Sequence, residues 1–384
     1  MQSKIGFLKE KINSNSETVL IVLLIVFYLT ESINKVAAHS NLEKIEIQAG
    51  IKALVFGLVL MGLLIYKKKE LLYIAILSGL FVIGQSQIQN SFEGSILMYL
   101  TKYLFPIALL GFFTVQPHKP KLKLFKIFEY ILLLNSILIL VGLVADVPFF
   151  HTYHGSRFGY NGLMVTSAAS TYFYIIGLSY FLARYQKGVV GNWKFWFIAI
   201  ASMIVGTKSI MLVLAGLGFF YIIKYVSSPK FKLVLLAIAV FIVLGFGYYL
   251  FFINSIFKWI TENEGVLTSF LSLRDQVLID FTLPYIQENW NFWNYLFGGV
   301  SNFELRPQME FIDVFFFWGI LGGAAYLYFY SKSFFQYKVK DIVSMFILFL
   351  ILIIIFLAGN FFYNTSVVIY VIILREALKT ETYK

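Results

Sequence analysis

The chain has no cysteine, which removes disulfides, thiolate metal sites and cysteine nucleophiles together. Charge is scarce as well. Only 13% of its 384 residues are Asp, Glu, Lys or Arg, where soluble domains carry about 25%, so there is too little polar surface to cover the molecule in water. Alternating strand patterns with aromatic girdles are missing, which argues against an outer-membrane barrel. Walker A, GxSxG, HExxH and GxGxxG signatures are missing too.

What the chain has is apolar length. Its mean hydropathy is +0.79 and 59% of its residues are hydrophobic. They fall in blocks near 18–34, 50–66, 71–84, 95–115, 127–147, 166–183, 193–206, 210–223, 231–252, 311–330, 342–358 and 361–374. At 1.5 Å per helical residue such blocks suit a hydrocarbon core of about 30 Å. This predicts an all-α polytopic membrane protein of about twelve transmembrane helices. The first block follows a basic leader (Lys4, Lys9, Lys11) but no small-residue cleavage site, and reads as a retained span. Glu129 and Lys102 fall inside blocks and are expected to face the bundle interior or to snorkel.

Charge orients the bundle. If the chain starts inside and alternates, 22 of its 31 basic residues fall in cytoplasmic segments, among them the Lys67-Lys68-Lys69 run. Acidic residues divide the other way, 7 inside and 13 elsewhere. This is the positive-inside rule; it places both termini in the cytoplasm and explains the basic pI without nucleic acid. The chain then divides into helices 1–9 over 1–252, a large outer loop over 253–310, and helices 10–12 with a tail over 311–384. A second long outer loop covers 146–166. Long loops without structure of their own are usually functional.

Positive charge is rare on the outer face, so each arginine there invites a reason. Arg157 lies in HTYHGSRFGYN, Arg274 in SLRD and Arg306 in ELRP. A guanidinium fork matches phosphate oxygens bidentately; the plainer alternative pairs Arg274 with Asp275 or Asp280 and Arg306 with Glu304. Lys208 sits in a tight Gly206-Thr-Lys-Ser turn, either snorkelling or meeting a lipid phosphate. His151 and His154 are spaced H-x-x-H, but no third ligand follows at recognisable spacing, so no metal is expected and His154 is a candidate for proton transfer. Glu310 and Asp313 lie one helical turn apart where the large loop re-enters the membrane. A shared face there suits acceptor binding and proton abstraction, or else a pair at a helix N-terminus.

Together these features resemble the O-antigen polymerase and ligase superfamily, specifically the Wzy-type repeat-unit polymerases. The resemblance rests on topology, the Arg157 loop, the Gly-Thr-Lys-Ser turn, the Arg274 loop, the acidic stretch running into Trp318-Gly-Ile-Leu-Gly, and Ala358-Gly-Asn-Phe-Phe-Tyr. It implies a GT-C-like fold in the bacterial inner membrane. The implied activity joins undecaprenyl-diphosphate-linked oligosaccharides into O-antigen or capsule at the outer face, without metal or other cofactor. Arg157, Arg274, Lys208 and Arg306 would bind diphosphate, and Glu310, Asp313 or His154 would activate the acceptor. Membrane lipids, a chain-length regulator and a flippase are the implied partners. The ligases usually carry histidine where this chain has Met309-Glu310, which favours polymerase; ligase and lipid-linked oligosaccharide flippase are the alternative readings.

Overall fold

The computed structural model describes residues 2–40, 47–89, 92–113, 121–153, 157–339 and 341–380. Nine helices come first: Gln2–His39 (α1), Ile47–Tyr66 (α2), Lys68–Gln85 (α3), Gly94–Phe112 (α4), Leu122–Ala145 (α5), Ser167–Tyr185 (α6), Trp193–Ile204 (α7), Lys208–Tyr225 (α8) and Pro229–Tyr248 (α9). The large loop carries five short helices: Ser255–Glu264 (α10), Val266–Leu271 (α11), Arg274–Val277 (α12), Leu283–Asn289 (α13) and Phe292–Phe297 (α14). Glu310–Phe334 (α15), Ile342–Ala358 (α16) and Val367–Thr380 (α17) close the chain. Among the described residues there is no strand, only an isolated bridge between His151 and Tyr160.

Each expected block overlaps a helix, with two differences in extent: α1 begins at Gln2, well before its block, and the last block begins in a non-helical turn, its helix starting only at Val367. Among the described residues seven helices are long and apolar enough to cross a membrane: Asn15–His39, Gln48–Tyr66, Gly94–Phe112, Leu122–Ala145, Lys208–Tyr225, Pro229–Ile253 and Glu310–Phe334. The protein is a multi-pass helical membrane protein.

Burial explains why α6 escapes that hydropathy test, whereas α17, 14 residues long, is too short for it. In α6 every residue from Ala169 to Ala183 is buried, and α17, its main neighbour, is buried from Val367 to Lys379. A helix shielded from lipid on all sides need not be uniformly apolar, and α6 carries Ser170, Thr171 and Ser179 in its interior. The opposite case is α9, a nearly unbroken apolar run with no buried residue.

The charges inside spans find partners. Glu129 accepts from the hydroxyls of Tyr180 and Tyr185, both at 2.9 Å, and pairs with Lys194 at 2.8 Å. Lys102 lies 4.9 Å from the Tyr99 ring and 5.8 Å from that of Tyr363. Several basic residues at the expected cytoplasmic end close helix C-termini. Lys67 donates to Gly111 O (2.7 Å) and Phe112 O (2.9 Å), Lys232 to Ile223 O (2.9 Å), and Arg375 to Leu110 O (3.0 Å) and Ser333 O (3.2 Å). Orphan carbonyls and the negative end of the helix dipole favour cations there, so part of the charge asymmetry also stabilises helix ends.

The large loop is pinned rather than loose. Gln85, at the end of α3, donates to Val300 O (2.6 Å) and accepts from its N–H (3.1 Å), while Asn294 donates to Gly84 O (3.0 Å). The loop backbone at Gly298 presses against α15, which breaks at Gly319 (φ 67°, ψ −169°). A Cβ on Gly319 would stand 2.4 Å from Gly298 N, so only glycine allows both the conformation and the approach.

With no native cysteine, single Cys probes report sidedness cleanly. Ser227→Cys and Asn263→Cys, both at exposed positions, are expected to label oppositely in intact cells with an impermeant maleimide, Asn263→Cys from outside. Labelling of Ser227→Cys from outside would overturn the orientation drawn from charge.

Candidate functional site

At the end of the bundle where α5 joins α6, α7 joins α8, and α16 joins α17, the connections enclose a cavity of about 380 Å³. Arg157, Lys208, Arg274 and Arg306 all line it. These four cations, expected from four separate segments of sequence, converge on one space. Ser167, Thr171, Thr207 and Ser209 add hydroxyls to the wall, so donors outnumber apolar surface.

The local chain explains each placement. Thr166 caps α6, accepting from Ala169 N at 3.1 Å, and sets the first turn of α6 beneath the cavity. The Arg157 guanidinium lies 3.7 Å from the Tyr153 ring centre, a stacked arrangement that fixes its plane. Lys208 opens α8 and donates to Ser269 O (2.7 Å) and Phe270 O (3.0 Å), which ties the large loop over the turn that carries it. Arg274 follows two residues in the left-handed region, Ser272 (φ 59°) and Leu273 (φ 67°), and donates to Leu357 O at 2.7 Å. Burial, reinforced by neighbouring Arg157, lowers the Arg274 guanidinium from its ordinary value, with Tyr172 and Asp313 acting against it. A guanidinium starts so high that it stays charged near neutral pH.

Backbone strain gathers here. Of the six non-glycine residues with positive φ among those described, Ser272, Gln308 and Asn360 line the cavity and Leu273 adjoins it. Such conformations persist where the surroundings over-determine them, and they cluster at functional sites. Gly359 is locked by close approach: a Cβ would fall 2.1 Å from Gln308 O, and Tyr172 donates to Gly359 O at 2.6 Å.

Among the described residues, no carboxylate pairs with Arg157, Lys208 or Arg274; their contacts are carbonyls and aromatic rings. The plainer alternative pairings are not made. Asp275 accepts from Thr268 at 2.5 Å, and Arg306 binds Asp313 at 2.7 Å rather than Glu304. Arg306 also donates to Asn360 Oδ1 (2.7 Å) and to the Tyr363 hydroxyl.

Glu310 is placed differently from the expectation that it activates an acceptor. It is fully buried off the cavity wall, and its two oxygens accept from Phe361 N (2.7 Å) and Phe362 N (2.8 Å). A carboxylate placed in this way holds the 361–362 backbone and does not line the cavity. Asp313 is also buried, behind Arg306, with Oδ1 unpartnered. His154 lies outside the described residues. His151 binds Asp146 at 3.2 Å and is not on the wall; the hydrogen bonds from Tyr160 and His151 hold the Asp146 carboxyl below its ordinary range. Sequence reading assigns no site role to Glu304, the acidic residue among the described ones on the wall, or to Gln308, and Asn360 enters it only within the Ala358-Gly-Asn stretch. In the sequence Glu304 stands out only as a partner for Arg306, and no spacing signal marks Gln308.

Chemically, the arrangement gathers planar donors, a lysine and hydroxyls around one cavity, a donor set that suits an anion. Comparison with known protein families, curated proteins and solved structures finds no match to this chain.

The buried carboxylates are expected to matter for stability. Glu310→Gln replaces one of two acceptors with an NH₂ facing a backbone N–H, a loss of about 1–3 kcal/mol. Asp313→Asn leaves Arg306 buried beside a neutral group, approaching the roughly 3–5 kcal/mol of a broken buried pair. Thermal midpoints of the solubilised protein should fall for both, and Arg306→Met with Asp313→Leu should recover most of the second loss. Unchanged midpoints would show that neither contact supports the fold.

Proposed function

We propose that this chain is a metal-independent membrane glycosyltransferase of the Wzy type, extending surface polysaccharide from undecaprenyl-diphosphate-linked repeat units. In this reading all twelve helices at the apolar blocks span a bacterial inner membrane, GT-C-like, with both termini cytoplasmic and the cavity at the outer face. The observation that carries the proposal is the convergence of Arg157, Lys208, Arg274 and Arg306 on one cavity, three of them without a carboxylate partner among the described residues.

The chemistry follows from what such a site stabilises. An acceptor hydroxyl oxygen attacks the anomeric carbon of the donor chain, and the bond from that carbon to the diphosphate oxygen breaks. The electron pair leaves with undecaprenyl diphosphate, and the hydroxyl proton passes to a base. Negative charge grows on the leaving diphosphate in an oxocarbenium-like transition state, and fixed guanidinium and ammonium groups aimed there lower the barrier. Glu304, on the wall beside Arg306, is the carboxylate positioned to meet an acceptor hydroxyl; the buried Glu310 and Asp313 hold the wall in place.

Purified protein with defined lipid-linked repeat units provides the test. Arg157→Ala and Arg274→Ala are each expected to slow extension by about 10²–10³-fold, the usual loss when one charge-stabilising donor is removed. Lysine should rescue poorly, because a point charge lacks the fork. Glu304→Gln should cost about 10²–10⁴-fold, while EDTA leaves the rate unchanged. Normal extension by both arginine variants would reject the diphosphate site, and a chelation loss restored by magnesium would reject metal independence. In cells, deletion should leave single-unit capping of the surface lipid; no capping at all would point instead to a ligase or flippase.

A further inference from the structure

A second concavity, of about 620 Å³, runs along α8 between α7 and α9. Among the described residues on its walls Lys208 alone is charged, and Lys208 also lines the cation cavity. The two spaces therefore share one side chain: a polar, cationic chamber at the outer end and an apolar groove leading away from it along α8.

Its length is informative. The wall follows α8 from Lys208 to Ile222, which is about 21 Å of helix axis at 1.5 Å per residue. One leaflet of a bilayer core measures about 15 Å. An ordinary acyl chain anchored at the outer surface ends near the midplane, whereas this groove continues past it. The groove also opens sideways, since Ile200, Met203 and Ile242 on its walls are exposed, and a chain could slide in laterally without leaving the apolar phase.

We infer that this groove holds the long isoprenoid chain of a lipid diphosphate whose head group occupies the cation cavity, with Lys208 at the junction. The inference rests on the diphosphate reading of that cavity and adds the route of the tail. Concavity comes from small residues, including Ala215 and Gly218 on α8 and Gly247 on α9. A Cβ at Gly218 or Gly247 would meet nothing within 4 Å, so larger side chains there fill the groove without a clash and raise helix propensity.

The test compares binding of geranyl diphosphate and undecaprenyl diphosphate to the full-length protein in detergent. The two-isoprene chain stops short of Gly218. Wild type is expected to prefer the long chain by at least about tenfold, given roughly 0.8 kcal/mol per buried methylene. Gly218→Trp, and separately Gly247→Leu, should remove that preference while leaving geranyl diphosphate affinity intact. Gly245→Trp, an open α9 position off the groove wall, should keep the preference. A retained long-chain preference in both groove variants overturns the inference. So does equal competition by phosphatidylglycerol, which would make the groove a bulk-lipid contact. If Arg274→Ala binds geranyl diphosphate like wild type, the cation cavity is not the head-group site, whatever the groove variants show.

Discussion

Three basic side chains gathered on one wall, none paired with a described carboxylate, are the constraint from which the rest of the site follows. Arg157, Lys208 and Arg274 line one cavity at the edge of a low-dielectric bundle, and among the described residues no carboxylate pairs with any of them. Like charges so placed repel, and burial penalises each further. Carbonyls and ring faces offset part of this: Leu357 O for Arg274, Ser269 O and Phe270 O for Lys208, and the Tyr153 ring for Arg157. A dipole offsets less than a full opposite charge does. Under the proposed function an entering anion offsets this repulsion, and one whose charge increases during reaction gains more still.

Such a cavity has to be held open by its surroundings, and the carboxylates supply the hold. Glu310 clamps the N–H groups of Phe361 and Phe362, which fixes the turn that presents Gly359 and Asn360. Asp313 fixes Arg306, and Arg306 in turn reaches Asn360 and Tyr363. The left-handed residues Ser272, Leu273, Gln308 and Asn360 are tolerated because these contacts leave the backbone no alternative. The acidic residues re-entering the membrane thus act on the cation site through the scaffold, one step removed from its space.

Much of this was legible in the sequence because membranes make sequence informative. Apolar block length and the scarcity of outer cations singled out the helices and the four basic residues that converge. The failures have physical causes. Glu310 and Asp313 were legible as unusual, since carboxylates at a membrane boundary need partners. Their partners are two backbone N–H groups 51 and 52 residues away and an arginine that could as well have bound Glu304, which spacing along one helix cannot reveal. Hydropathy understated α6 because a helix enclosed by other helices is free to carry hydroxyls. The last apolar block read as continuous, yet Gly359 and Asn360 at positive φ, and Phe361 and Phe362 held by Glu310, keep 359–366 out of the helix and put Gly359 and Asn360 on the wall.

The position of the cavity relative to the groove bears on how a substrate with two incompatible halves could be handled. A charged head must stay wet while a long tail stays in hydrocarbon, and separating either from its medium is expensive. A cavity at one end of the helices, joined at Lys208 to a groove that opens sideways, suits both demands at once. Because no residue of α9 is buried, the groove wall it forms has few packing contacts to hold it in place. Exchange of a spent lipid for a new one would then require movement of one weakly packed helix, while the strained and clamped turns around the cations stay where they are.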